Sequence, residues 1–322
     1  MMGRVTDHLE RPSRVLGRVL VVGDANPDLI LRGDVVPRFG QAEQLLDDAA
    51  LVVGGSAAIT AHGLARLGRP VSLLAAVGDD PFARLVVGDL AAAGVDTDGM
   101  LVRAGVRTGI TVVLSTPDDR ALLTLPAAIP TLRAKDVRRT LRTPDLAHVH
   151  FSSLFLQPAL AGELSGLLPE LSARGLTTSL DTNADPAGRW RGVTALLPQL
   201  DLLRPNHPEV CAIAGNPDPV AAATTLAAAG PLVVVKDGVR GAFAVTSAGH
   251  RVTAAGEPRP VVDTTGAGDT FNAAFLDSWL AGCGLDGCLR RAVRAGTFSV
   301  TAAGGTASQP DRQDLQPDRN DT

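Results

Sequence analysis

The chain has 322 residues, a formal charge of −4 and 45% hydrophobic residues, enough to bury one large α/β core or two small ones. Its Lys and Arg residues are scattered, which argues against a nucleic-acid partner; no run of 18 apolar residues and no apolar stretch within the first 17 point to a membrane span or a secretion signal. Cys211, Cys283 and Cys288 form no CxxC and no zinc spacing, so they read as small buried hydrophobes of a reducing, cytoplasmic compartment.

Arg18 to Gly23 (RVLVVG) is a continuous apolar run ending in glycine, the pattern of a buried parallel strand. It empties into Asp24-Ala25-Asn26-Pro27-Asp28. Polar side chains at that place sit where open α/β sheets bind ligands, and they equally suit an Asx-rich turn before a strand at 29–31. Residues 32–53 alternate loosely around Gly33, Pro37 and Gly40, and predict short strands or loop outside the main sheet. Gly54-Gly55-Ser56 opens a helix over 57–67 with Ser56 as N-cap and Gly68 as its stop. Strand 71–77, the turn Gly78-Asp79-Asp80-Pro81 and a helix to Ala93 continue a βαβα rhythm, which means a mostly parallel sheet with helices on both faces.

The rhythm breaks at 100–125, where 108–114 and 121–125 flank Pro117-Asp118-Asp119-Arg120 as a hairpin. Together with 32–53 this hairpin is expected to form a small sheet that covers a site as a lid. Apolar side chains emerge on both faces of these segments, so the lid is expected to pair two chains in a homodimer. The alternation then resumes: helix 132–142, strand 147–151, helix 159–173, strand 177–180, strand 201–204, helices 207–214 and 219–229, strand 232–235, a hairpin over 242–254, and closing helices 269–281 and 286–302. The whole predicts one three-layer αβα domain over 18–308, with lid segments 32–53 and 100–125 inserted and mobile termini at 1–17 and 309–322.

No GxxxxGK[ST], no GxSxG and no Rossmann glycine fingerprint is present. His148 and His150 share one face of an apolar strand and read as satisfied strand histidines. The chemistry concentrates at Val261-Val262-Asp263-Thr264-Thr265-Gly266-Ala267-Gly268-Asp269-Thr270-Phe271, a strand end, a glycine turn and a helix start. The free amides of a helix N-terminus favour an anion, and glycines let a ligand approach. Asp269 would repel a phosphate, but it suits a hydroxyl attacking a phosphoryl group held by the amides of Gly266, Ala267, Gly268 and Asp269 itself. An Asp N-cap on an ordinary Gly-Ala-Gly turn is the plainer reading of the same residues.

The run DTTGAGDTFNAAF resembles the C-terminal signature of the ribokinase-like (PfkB) carbohydrate kinases, and the resemblance extends over roughly 18–308. Gly54-Gly55 before Leu64-Ala65-Arg66-Leu67-Gly68 looks like the family's N-terminal signature. The resemblance implies an ATP-dependent kinase of a sugar or sugar derivative, with Asp269 as base and Asn26, Asp28, Gly54 and Gly55 holding the acceptor. Asn206-His207-Pro208-Glu209 is similar to the family's NxxE motif, with Glu209 acting on Mg²⁺ through water; a capping box explains the same spacing. By the same resemblance Asn206, Glu209, Lys236, Gly238, Gly241, Thr265 and Ser299 line the nucleotide, and Asp263, Thr265, Ser299, Gly304 and Ser308 hold a monovalent cation such as K⁺. Ser56 and Ile59 stand where ribokinase-type sequences carry Lys and Asn, which argues against ribose as the acceptor. A nucleoside kinase of the same fold and a non-catalytic sugar or nucleotide sensor are the alternatives.

Overall fold

The computed structural model describes residues 17–41, 43–116 and 119–316. Residues 1–16 and 317–322 of the expected mobile termini, and the hairpin tip at Pro117-Asp118, lie outside the described residues.

From the N-terminus, β1 (Arg18–Gly23) is followed by β2 (Asn26–Gly33) and β3 (Leu46–Gly54), then α1 (Ser56–Arg66), β4 (Val71–Gly78), α2 (Pro81–Ala92) and β5 (Leu101–Arg103). Strands β6 (Ile110–Ser115) and β7 (Arg120–Leu125) form the hairpin, followed by α3 (Ala134–Thr140), β8 (Leu146–Ser152), α4 (Pro158–Ala161), α5 (Leu164–Ala173) and β9 (Thr177–Asp181). Then come α6 (Val193–Leu196), β10 (Leu202–Leu203), α7 (His207–Ala214), α8 (Pro219–Ala227), β11 (Leu232–Lys236), β12 (Gly241–Val245), β13 (Arg251–Ala255), α9 (Ala267–Leu280) and α10 (Leu285–Ser299).

The larger sheet runs β13-β12-β11-β10-β9-β8-β1-β4-β5, parallel from β11 to β5 and antiparallel only at the β12–β13 edge. Because side chains alternate along a strand, β1 feeds both cores. Val19 and Val21 pack with α1, α2, α9 and α10, while Leu20 and Val22 pack with helices α3 to α8. These are the three layers expected from the alternation. Strand β1 lies between β4 and β8, so the chain winds one way to β5 and the other way to β13. The carboxyl ends of β1 and β8 therefore flank a topological switch point, the place where such sheets hold ligands.

The smaller sheet has order β3-β2-β6-β7, with a parallel β2–β6 pair between two antiparallel pairs. The lid segments of the sequence do meet there, but with different limits. Strand β2 begins at Asn26, so the polar cluster after β1 belongs to a strand rather than a turn, and β5 joins the main sheet beside β4.

Three other expectations change. Ser56 is the first residue of α1 rather than its cap, because the Asp24 carboxylate, just past the end of β1, accepts the amides of Ser56 and Ala57 (3.2 and 3.0 Å). The helix expected over 159–173 breaks at Gly162-Glu163 into α4 and α5. The polar composition after Ser308 suggested a loose tail, yet Gln309 is buried and donates to the Ile59 carbonyl and the Thr270 hydroxyl, and Leu315 enters the α9–α10 core.

Candidate active site

The acceptor side begins at the end of β1. Asp24 is buried, and burial holds its carboxyl above its ordinary value against the pull of the Ala57 amide. Asn26 donates to Asp28 Oδ1 (2.9 Å), to the Pro27 carbonyl (3.1 Å) and to Thr111 Oγ1 of β6 (3.3 Å), so the cluster fastens β2 to β6 within the smaller sheet. Burial first, and then the charge of Asp24, push Asp28 up to about 7. Gly54 faces this carboxylate so closely that a Cβ there would lie 2.0 Å from Asp28 Oδ1. Gly55 is the N-cap of α1 and stands against the Asp24 carbonyl.

The start of α9 lies opposite. Gly266 caps it in a left-handed conformation (φ 72°) that a side chain would strain, and a Cβ would also meet Gly305 at 2.7 Å. The Ala267 amide turns back to Thr264 O at 3.3 Å, while Gly268 and Asp269 carry the next amides of the first turn, which have no intrahelical acceptor. Ile59 is buried against Gly266 and Gly305, so this apolar replacement seals the back of the turn.

Asp269 is buried and accepts a short hydrogen bond from Ser56 Oγ. Ser56 in turn accepts from Ser152 Oγ (2.7 Å), at the last residue of β8, and from Asn183 Nδ2 (3.0 Å), just past the end of β9. Burial and then the charge of Asp181 raise the Asp269 carboxyl to about 7, against the Ser56 hydrogen bond and Lys236. A carboxylate titrating near neutrality, held by one hydroxyl beside free helix amides, can accept a proton from an attacking hydroxyl.

The end of β11 supplies a cation. Lys236 forms a short ion pair with the fully buried Asp181, which also accepts from Asn272 Nδ2 of α9. Lys236 passes beside Gly268, where a Cβ would lie 3.6 Å from its ammonium. Gly238 follows in a 3₁₀ turn, and Gly241 opens β12 with φ 98°. Asn206 and Glu209 form a full capping box at α7: the Glu209 amide donates to Asn206 Oδ1, and the Asn206 amide to Glu209 Oε2, both at 2.9 Å. Burial, and then Asp181, push the Glu209 carboxyl up to about 7. Two buried carboxylates beside one lysine are a donor set suited to the waters of a hydrated Mg²⁺. Among the described residues no group of three His, Cys, Asp or Glu side chains is spaced to hold a metal directly.

Asp263 precedes the turn. Its Oδ1 accepts the Thr265 amide (2.8 Å) and hydroxyl (2.7 Å), and its Oδ2 accepts the Gly304 amide (2.9 Å). Burial pushes its carboxyl up, but these bonds and Arg120 outweigh it and leave the group below its ordinary value. The Ser308 hydroxyl closes onto the Ser299 carbonyl at 2.8 Å. Arg120 Nη1 and Arg32 Nη2 stand 3.7 and 3.6 Å from the two Asp263 oxygens. A donor set already faced by two guanidinium groups does not fit a monovalent cation.

His148 and His150 behave as satisfied core residues. Both are fully buried and bond to Thr177, Ser179 and the buried Arg204, and burial holds both well below their ordinary values. Sequence reasoning missed Ser56 as the partner of Asp269, and it missed Asp181, Asn183 and the arginines Arg32 and Arg120 of the smaller sheet. Asp181-Thr182-Asn183 carried a signal, because polar residues at the end of a buried strand repeat the pattern read after β1.

The model of the pfkB family of carbohydrate kinases matches residues 17–312. An ATP-dependent ribose-1-phosphate kinase of Halopiger xanaduensis is 29% identical over 293 residues, covering 90% of this chain and 94% of that protein. A fructokinase of Klebsiella pneumoniae is 29% identical over 318 residues, covering 93% and 98%. Among solved structures, Arabidopsis thaliana ribokinase complexed with ribose and ATP superposes with a TM-score of 0.80 at 25% identity, covering 93% of this chain and 97% of that one. With its glycine turn, its buried aspartate and a match over nearly its whole length, the chain belongs to the pfkB family of carbohydrate kinases, phosphotransferases with an alcohol group as acceptor.

Proposed function

We propose that the chain transfers the γ-phosphoryl group of ATP to a hydroxyl of a small sugar or sugar derivative, with Asp269 as the general base. The observation that carries this reading is a buried carboxylate, raised to about 7, in the first turn of a helix whose Gly268 and Asp269 amides are free for an anion. Asn26, Asp28, Gly54 and Gly55 hold the acceptor. Its hydroxyl gives a proton to Asp269 while its oxygen bonds to the γ-phosphorus. The bond from that phosphorus to the bridging oxygen breaks, and ADP leaves with the electron pair. The amides of Gly268 and Asp269, presented by the Gly266-Ala267 turn, and the Lys236 ammonium stabilise the charge of the transferring group. Asn206, Lys236, Gly238, Gly241, Thr265 and Ser299 line the nucleotide. Mg²⁺, when bound, neutralises phosphate charge; Glu209 holds its waters.

Ser56 is committed to Asp269, and Ile59 to the back of the turn, so neither replaces the polar contacts to sugar made by the Lys and Asn of ribokinase-type sequences. A sugar derivative other than ribose is therefore the favoured acceptor. The small sheet closes over the site and excludes water, which would otherwise compete for the phosphoryl group. Leu51, Leu123 and Leu125 are exposed on the face of that sheet that points away from Arg32 and Arg120 (41, 57 and 47%), and they supply an apolar face for a two-fold contact between lids.

An ATP-consumption screen over sugars, sugar acids, sugar phosphates and nucleosides tests the reading. A sugar or sugar derivative that drives ADP release supports it. Turnover with nucleosides alone, or with no acceptor in the presence of tight sugar or nucleotide binding, contradicts it.

A further inference from the structure

The lid sheet carries two arginines that have no part in holding the acceptor. Arg32 on β2 is in register with Ser115 on β6, and Ser115 with Arg120 on β7, so the two arginines share one row across three strands. In-register residues point to the same face of a sheet. That face meets the turn before α9. Arg120 Nη1 donates to Thr264 Oγ1 at 2.9 Å and Thr265 Oγ1 at 3.0 Å, and it lies 3.7 Å from Asp263 Oδ1. Arg32 Nη2 lies 3.6 Å from Asp263 Oδ2; it is buried and has no hydrogen-bond partner, while Arg32 Nη1 holds Asp48 at 3.2 Å. Val52 of β3 also reaches the loop behind Asp263, lying 3.2 Å from where a Cβ on Gly304 would stand.

Asp263 thus has both oxygens engaged by amides and a hydroxyl, with a positive charge beyond each. A buried carboxylate needs such compensation. A further cation among these groups would be repelled by two guanidinium charges at close range. Asp263 and Thr265 are two of the residues that the family resemblance offers to K⁺, and Arg120 approaches the side-chain oxygens of both.

We infer that Arg32 and Arg120 take the place of a monovalent cation at Asp263, so that seating of the lid sheet, rather than binding of K⁺, neutralises the turn that carries the α9 amides. The inference rests on the kinase reading above. It makes the two arginines positioning residues: they act on the amides through Asp263, Thr264 and Thr265. It also links closure to chemistry, because the charge arrives on the strands that cover the acceptor.

The test compares ADP release by the full chain in K⁺ and in tetramethylammonium at fixed ionic strength, using the acceptor found in the screen. The wild-type rate is expected to change by less than about twofold. Arg120→Ala and the double variant Arg32→Ala/Arg120→Ala are expected to slow in tetramethylammonium and to recover by about tenfold or more in K⁺, with the small ion replacing the lost charge. Arg120→Lys is expected to remain indifferent to K⁺. A wild type activated about tenfold by K⁺ overturns the inference. So does a double variant that keeps the wild-type rate without K⁺. If the alanine variants are inactive in every salt, the wild-type comparison decides. Thermal unfolding of the wild type with Mg²⁺ and ATP provides a readout that needs no acceptor: equal midpoints in the two salts are expected, and a rise specific to K⁺ contradicts the inference. A screen that yields no acceptor therefore counts against the kinase reading, while the unfolding midpoints still judge the arginines.

Discussion

Two buried aspartates stand six positions apart at the same turn, and their surroundings are opposite. Asp263 accepts two amides and a hydroxyl and faces two arginines, which leave it below its ordinary value. Asp269 accepts one serine hydroxyl and shares its surroundings with the carboxylates of Asp181 and Asp24, and it is raised to about 7. Amides and guanidinium groups fix a charge in place. Burial beside like charges makes it ready to take a proton. One loop-turn-helix unit, in place of the strand end expected at 261–263, therefore holds a permanent anion that shapes the turn and a second group whose environment favours taking a proton.

The largest effect expected from breaking this contrast is catalytic. Asp269→Asn should leave the fold and ATP binding intact and lower phosphoryl transfer by roughly 10²-fold or more, the scale of a lost general base. Turnover within a few-fold of wild type would reduce Asp269 to a residue of the helix start.

On the acceptor side, Asn26→Ala and Asp28→Ala should each raise the acceptor KM by about tenfold, with little change in the KM for ATP. Equal effects on both substrates, measured by varying each at saturation of the other, would remove these residues from the acceptor site.

Stability should respond with opposite signs at the two aspartates. The Asp269 carboxyl titrates higher in the folded chain than in the unfolded one. Its stabilising contribution is therefore complete below about pH 4 and is lost as the pH rises through about 7. At pH 8 the neutral Asp269→Asn should accordingly stabilise the ligand-free protein, on the order of 2 kcal/mol. Asp263→Asn should destabilise it by about 1–3 kcal/mol, because it misplaces an acceptor for three donors and leaves two arginines uncompensated. Urea unfolding of both variants at pH 8 reads the two signs, and the same sign for both would end the contrast.

The smallest effect concerns the outer face of the lid. Leu123→Glu/Leu125→Glu should convert a dimer to a monomer of one 33.2 kDa chain by light scattering, with unchanged secondary structure. A wild type that already scatters as a single chain at micromolar concentration rules the lid contact out.

The strand and helix order was legible because it rests on local pattern: apolar runs for β1 and β4, and glycine stops after α1 and α2. Asp269 was legible because its motif is contiguous. Ser56 was not, since its partner lies 213 residues away and nothing in a helix start distinguishes a capping serine from one that serves a distant carboxylate. Arg32 and Arg120 were hidden for a related reason. They stand 88 positions apart in sequence, and only the parallel β2–β6 register together with the β6–β7 hairpin register brings them to one row. Asn206-x-x-Glu209 showed the reverse problem, since one spacing serves both a capping box and a phosphate motif, and the ligand-free geometry is that of the box.

The pH dependence of kcat/KM for the acceptor tests most directly whether Asp269 is a proton acceptor. Asp28 and Glu209 are also raised to about 7, so each is a second candidate for the acid limb; comparison with Asp28→Asn and Glu209→Gln separates the contribution of Asp269. The account predicts that kcat/KM falls as the pH drops through about 7, with slope and midpoint retained in both of those variants. A wild-type profile that stays flat down to about pH 5 would contradict it, because no carboxylate raised to neutrality could then be the base.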